Sequence, residues 1–410
     1  MRKHTNFCSK IAILAHCFCD MRRLLLFFAI VAATSSCSSD STGESKTKSP
    51  YADMQALTKA QAQEYAATLG SEWKDSVKTA SAQTFKNKAI VRGEYTMRFD
   101  YKTFGNAPEG GRSLYISLHG GGGTTPDAND QQWENQLRLY EPAEGIYLCP
   151  RAITNTWDLH FRPQSDAFYE EIIRMAVAHL DVNPSKVYLM GYSAGGDGVW
   201  RLAPRMADHW AASSMMAGHP GDVALESLRN LPFMIWCGAL DDAYNRNAEC
   251  AARIAQMDAL QAADPAGYIH EGHIVEGKGH WMDLEDAAAV PWMAAYTRNP
   301  YPTKVVWKQG DEPKTSFYWL GVPAAEAAKG KTVVATFSGN MVEILSCDYS
   351  SLTIYLNDSM MDLDTPVRIK YGDTELYLGP VKRVPATMRS TLAARGDLDY
   401  IFPTAITVTI

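Results

Sequence analysis

The chain has 410 residues, more than one compact core usually holds, so two domains are expected. Its apolar content of 46% is ordinary for a globular protein. The formal net charge of −7 gives no reason to expect nucleic acid or an anionic membrane surface as a partner.

The first recognisable element begins at Met21. Arg22 and Arg23 precede an apolar run from Leu24 to Ala33, and small residues lead to Cys37. A basic start, a short apolar stretch and small residues are the parts of a signal peptide, expected over residues 1–36 with the working start at Met21. The apolar run is too short for a permanent membrane span. Cys37 after Ser35 and Ser36 resembles the lipobox of bacterial lipoproteins, with Thr34 where that motif has Leu or Val. The resemblance implies lipidation at Cys37, a cell-envelope lipoprotein, and membrane contact through a lipid anchor only. Plain secretion is the alternative. Residues 37–51 are polar and read as a flexible tether.

From Ala52 to Lys88 the pattern is helical, with Gly70 as an expected helix end. Strand-like and helix-like runs then alternate. Strands are expected in EYTMRFDYKTFG, SLYISLHG, GIYLCPRA, KVYLMGYS, WAASSMMAG, PFMIWCGA and YIHEGHIVEGKG. Between them lie helical patterns: SDAFYEEIIRMAVAHLDV, capped by Ser165 or Asp166; GGDGVWRLAPRMA, interrupted by Pro204; NAECAARIAQMDALQAADP; and MDLEDAAAVPWMAAYTR. Apolar runs without alternation suit strands covered on both faces. The expected class is α/β: a doubly wound, mostly parallel sheet over residues 52–300. Past Pro300–Pro302 the apolar and polar residues alternate with period two. This predicts an antiparallel β-sandwich-like domain over 301–410. Trp292, Tyr296 and Trp319 flank a short proline-stiffened linker and are expected to pack across the junction. Past the tether only Cys149, Cys237, Cys250 and Cys347 remain, too scattered for a disulfide framework. A Cys237–Cys250 bridge is left open.

Chemistry concentrates at Gly191-Tyr192-Ser193-Ala194-Gly195, where a strand is expected to end and a helix to begin. A tight turn there strains the serine backbone and leaves no room for side chains at 191 and 195. The bland alternative is a structural serine in a strand–helix turn. Upstream, His119 and Gly120 to Gly123 follow another strand. Such a loop points backbone N–H groups into a cavity and suits an oxyanion, with Gly121, Gly122 and Ala194 as donors. A phosphate-binding loop is disfavoured, because neither G-x-x-x-x-G-K-[ST] nor G-x-G-x-x-G with its helix is present. His119 reads as a structural residue. No cofactor or metal is implied: His270 and His273 are three apart on a strand and face opposite ways.

These two motifs, in this order, resemble the α/β-hydrolases. Together with GALDDAYN and GKGHW they are similar to the secreted esterase branch, near polyhydroxybutyrate depolymerases and feruloyl or acetyl-xylan esterases, over about Tyr95 to Thr297. The resemblance implies a triad of Ser193, an acid after the next-but-one strand, and a histidine after the last strand. Asp241 in Gly238-Ala239-Leu240-Asp241 fits the acid, with Asp242 as the alternative. Asp197 falls on the wrong element, the helix after Ser193, and Asp222 comes too early in the strand order. His280 fits the base. Trp157, His160, Phe161 and His219 are candidate pocket residues, with plain loop packing as the competing reading for the first three. The implied activity is hydrolysis of a small-molecule or polymeric carboxylic ester through an acyl-enzyme. A prolyl oligopeptidase-like peptidase and a non-catalytic surface-binding lipoprotein remain as alternatives. The oligomeric state is not legible.

Overall fold

A computed structural model describes residues 49–410. The expected signal peptide, the lipidation at Cys37 and most of the tether lie outside the described residues. The chain opens with α1 (Lys59–Ala80) and α2 (Ala82–Asn87). Thr58 and Gln61 form a reciprocal capping box at the start of α1. Gly70 does not end this helix. α1 runs through it, because Tyr65 and Leu69 bury one face and offset the modest glycine penalty.

Eight strands form the central sheet: β1 (Ala89–Arg92), β2 (Tyr95–Phe104), β3 (Arg112–Leu118), β4 (Gly145–Arg151), β5 (Val182–Tyr192), β6 (Ala212–Met216), β7 (Phe233–Gly238) and β8 (His270–Val275). Their spatial order is β1-β2-β4-β3-β5-β6-β7-β8. β2 pairs antiparallel with both neighbours, and the remaining pairs are parallel. This is the α/β-hydrolase fold.

The apolar strand runs serve two cores, one on each side of the sheet. Along β3 and β5, Leu114, Ile116, Leu118, Val187 and Leu189 face α4 (Ser165–His179), α5 (Ala194–Arg205) and α6 (Arg246–Ala263). Tyr115, Tyr188, Met190 and Tyr192 face α3 (Pro126–Gln136) and the short α7 (Ala289–Ala294). The expected caps of α4 are corrected: Gln164 holds that position without a side-chain bond. Asp166 instead lies 2.5 Å from Arg205 and 2.7 Å from Lys314. Cys237 and Cys250 are buried free thiols rather than a bridge.

The C-terminal part holds two further sheets. One is ordered β16-β15-β13-β12-β9 and the other β10-β11-β14-β17. The strands are β9 (Lys304–Lys308), β10 (Ser316–Phe317), β11 (Leu320–Gly321), β12 (Thr332–Ser338), β13 (Met341–Cys347), β14 (Ser351–Leu356), β15 (Val367–Tyr371), β16 (Thr374–Gly379) and β17 (Thr404–Thr409). The expectation of purely antiparallel pairing fails at one place. β13 and β15 run parallel, because the chain crosses to the other sheet to make β14 before it returns. A helix, α8 (Pro385–Arg395), was also missed, although Pro385 at its start and Gly396 at its end are the usual punctuation.

The junction differs from the sequence expectation in its members. Trp292 and Tyr296 pack edge-on against each other beside the α7-side core, apart from the core that holds Trp319. Trp307, Phe317, Tyr318, Trp319 and Tyr400 instead join the core that contains Trp200 and Phe233. Arg298 lies within this contact. It donates to Asp397 at 2.7 Å, to Asp399 at 2.7 Å and to the Asp208 carbonyl at 2.6 Å.

Candidate active site

Ser193 sits between β5 and α5 with φ 58° and ψ −122°, a conformation that costs a non-glycine residue strain. The flanking glycines are required by space. A Cβ on Gly195 would lie 2.1 Å from the Leu118 carbonyl oxygen, and one on Gly191 would lie 2.4 Å from that of Gly195. The turn is therefore wedged against β3, and the Ser193 side chain stands clear of it.

Two loops bring its partners. His280, after β8, places Nε2 2.8 Å from Ser193 Oγ and Nδ1 2.8 Å from Asp241 Oδ2. Asp241 follows β7 and is almost fully buried, whereas Asp242 is exposed. The Tyr192 hydroxyl braces the histidine loop. It donates to the His280 carbonyl at 2.7 Å and accepts from the Met282 N–H at 3.1 Å.

The glycine loop after β3 wraps around Asn129, the fourth residue of α3. Asn129 Oδ1 accepts the Gly122 N–H at 2.8 Å. Gly122 is thereby corrected as an oxyanion donor, since its proton is already used. Among the described residues, no internal partner is present for the N–H groups of Gly121 and Ala194. Ala194 opens a helix, where the first amides have no intrahelical acceptor. Gly121 has φ 101°, and a Cβ there would strike Asn129 Oδ1 at 2.4 Å. His119 is fully buried. Its Nδ1 bonds the Gly120 carbonyl at 2.6 Å and its Nε2 accepts from the Ala152 N–H at 3.1 Å. Burial, with His160 beside it, pushes His119 well below the usual histidine range, so it stays neutral.

A cavity of about 540 Å³ opens at Ser193, walled by Gly120, Gly121, Tyr192, His280, Trp281 and one face of α3. That face carries Gln132, Asn135, Gln136 and, just beyond the helix, Leu139. The four pocket residues expected from the sequence do not line it. His160 is buried beneath the glycine loop and bonds the His119 carbonyl at 2.8 Å. Burial pushes it down to about 4. Phe161 packs edge-on against the exposed Trp157. His219 donates its backbone N–H to Asp197 Oδ1 at 2.6 Å, and its Nδ1 accepts from Gly221. The i, i+3, i+4, i+7 spacing of the true lining residues was legible once Thr125-Pro126-Asp127 is read as a helix start.

Arg246 was not anticipated. Its Nη1 donates to Asp241 Oδ1 at 2.6 Å and lies 3.2 Å from His280 Nδ1. Among the described residues, no cluster of His, Cys, Asp and Glu is arranged to hold a metal ion.

No protein-family model and no curated protein matches the chain. Solved structures similar to it include esterases. A thermostable esterase matches at 15% identity and a TM-score of 0.38, covering 51% of this chain and 62% of that one. The feruloyl esterase module from Clostridium thermocellum matches at 15% identity and a TM-score of 0.36, over 51% of this chain and 86% of that one. A carboxylesterase from Mesorhizobium loti matches at 16% and 0.35, over 50% and 99%. The fold assignment rests on the strand order itself.

Proposed function

We propose that this chain is a serine hydrolase of carboxylic esters that works through an acyl-enzyme. The observation that carries the reading is the unbroken relay from Ser193 Oγ through His280 to Asp241, each link 2.8 Å, beside the open amides of Gly121 and Ala194. In this reading His280 Nε2 takes the Ser193 proton as Oγ attacks the acyl carbon. The carbonyl oxygen gathers negative charge and is met by the two amides. His280 then passes the proton to the departing alcohol. Water, activated by the same nitrogen, cleaves the acyl-enzyme and restores Ser193. Asp241 holds the tautomer with the proton on Nδ1 and stabilises the imidazolium.

The test is labelling with a fluorophosphonate probe, together with turnover of nitrophenyl acetate and of an aminoacyl amide. Labelling at Ser193 that disappears in Ser193→Ala, with turnover of the ester and not the amide, is expected. Preferred turnover of the amide would favour the peptidase reading. Absence of labelling in folded protein would favour a non-catalytic binding role.

We also propose export and anchoring at Cys37, supported by the basic, apolar and small-residue order of residues 22–37. No helix of the described residues is long and apolar enough to cross a membrane. Cys37→Ser is expected to move the protein out of the membrane fraction with activity on a soluble ester unchanged. A mature protein without lipid by mass spectrometry would end this proposal.

A further inference from the structure

The acid of the proposed triad is held from two sides. His280 Nδ1 must carry its proton to donate to Asp241 Oδ2, so it has no lone pair left for Arg246. The 3.2 Å approach of Arg246 Nη1 to Nδ1 is therefore a meeting of two donors on one carboxylate, one at each oxygen. The Asp241 and Arg246 side chains are only 2% and 10% exposed. A buried carboxylate whose second oxygen lacked a partner would be costly and free to rotate. With Arg246 in place, its plane is fixed toward the imidazole.

The local chain is bent to make this contact. Tyr244 and Asn245 both adopt left-handed φ, 59° and 55°. Non-glycine residues in that region store strain, and the turn carries Arg246, the first residue of α6, back over the Asp241 loop. Asn247 closes the arrangement, donating its backbone N–H to the Asp241 carbonyl at 3.0 Å and its side-chain amide to that of Ala239 at 2.8 Å. The Tyr244 ring covers the guanidinium, 5.6 Å away.

We propose that Arg246 is a positioning residue that orients Asp241. The proposal rests on the triad reading above.

The experiment uses the full chain with Arg246→Ala and Arg246→Lys. Readouts are kcat and KM on nitrophenyl acetate, probe labelling of Ser193, and thermal unfolding. Arg246→Ala is expected to lower kcat roughly 10- to 100-fold, the range typical of groups that orient a functional side chain, with KM unchanged. Added guanidinium at millimolar concentration should restore part of that kcat, and methylammonium should not. Arg246→Lys should stay low, because an ammonium cannot reproduce the planar donor geometry. A folded Arg246→Ala enzyme with wild-type kcat overturns the proposal, as does recovery by methylammonium equal to that by guanidinium. If Arg246→Ala does not fold, wild-type kcat in Arg246→Lys overturns it instead. A labelled Ser193 alongside fully active Arg246 variants removes the positioning role alone. An unlabelled Ser193, with Ser193→Ala at full turnover, removes the triad reading itself.

Discussion

Asp241 and Asp242 are chain neighbours in opposite environments. Asp241 is buried between His280 and Arg246, whereas Asp242 is exposed at the start of a short turn. Asp241→Asn is expected to cut kcat on the order of 10⁴-fold, because an amide cannot hold the required tautomer. Asp242→Asn should leave kcat near wild type. Steady-state turnover of a soluble ester on both variants checks the ranking, and the reverse order would move the acid. The three residues of this relay were legible because each is tied to a local pattern: a small-residue turn, a G-x-x-D loop, a histidine after the last strand. The pocket was not. Whether Trp157, His160 or Phe161 lines a cavity depends on packing under the glycine loop, and His160 spends both ring nitrogens there, on the Tyr169 hydroxyl and the His119 carbonyl. Arg246 escaped notice for the same reason, since nothing in a lone arginine at a helix start announces a bond to a residue five positions earlier.

At the level of elements, the glycine loop and α3 act as one piece. Asn129 is fully buried, and its Nδ2 donates to the Thr125 carbonyl at 3.2 Å while its Oδ1 accepts from Gly122. Asn129→Ala is expected to lower kcat on the order of 10- to 100-fold by releasing the loop that aims the Gly121 amide. Assay on nitrophenyl acetate, with thermal unfolding to confirm a folded protein, would check this. Gly195→Ala drives a methyl group into the Leu118 carbonyl and should separate α5 from β3. A loss of at least about 1–3 kcal/mol is expected, read from the denaturant midpoint. The sequence revealed β2 to β8 of the central sheet, mostly as bounded apolar runs, and missed the four-residue edge strand β1. It concealed α3 behind a polar composition, and α8 behind the period-two alternation around it. It also could not show the parallel β13–β15 pairing, since periodicity says which face a residue takes and not which strand lies beside it.

Across the whole molecule, the C-terminal sheets are bound to the hydrolase part through charge as well as apolar surface. Asp208 and Asp397 are both buried. Burial alone would raise their pKa values, but His209 and Arg395 hold Asp208 down and Arg298 holds Asp397 down. A carboxyl lowered in the folded state stabilises it fully above its unfolded value of about 4, and that contribution is lost as pH falls below it. Thermal unfolding is therefore expected to shift downward between about pH 5 and pH 3. Arg298→Met should lower the neutral-pH transition and shrink this acid-dependent shift. The intact described region should melt in one cooperative transition, as a shared core dictates. A chain cut after Arg298 keeps Ser193, Asp241 and His280 but loses Asp397 and Asp399, the carboxylate partners of Arg298, and the core residues Trp307, Phe317, Trp319 and Tyr400. It should be insoluble or markedly less stable. Two separate calorimetric transitions in the full chain would contradict this picture.

The two ends of the described chain are also joined. The Leu57 N–H bonds the Arg383 carbonyl at 2.8 Å, and Arg389 reaches the Tyr65 hydroxyl at 2.8 Å across 324 positions. Leu57, Ala62, Tyr65 and Leu69 share a small core with Met388, Leu392 and Ile401. During synthesis, then, the earliest helix of this region leaves the ribosome long before its last partners exist. Its apolar stripe can rest on α4 in the meantime, yet its outer flank is finished only when α8 and the segment through Ile401 have been made. Hydrogen exchange should show amides of α1 and α8 becoming protected in the same late step.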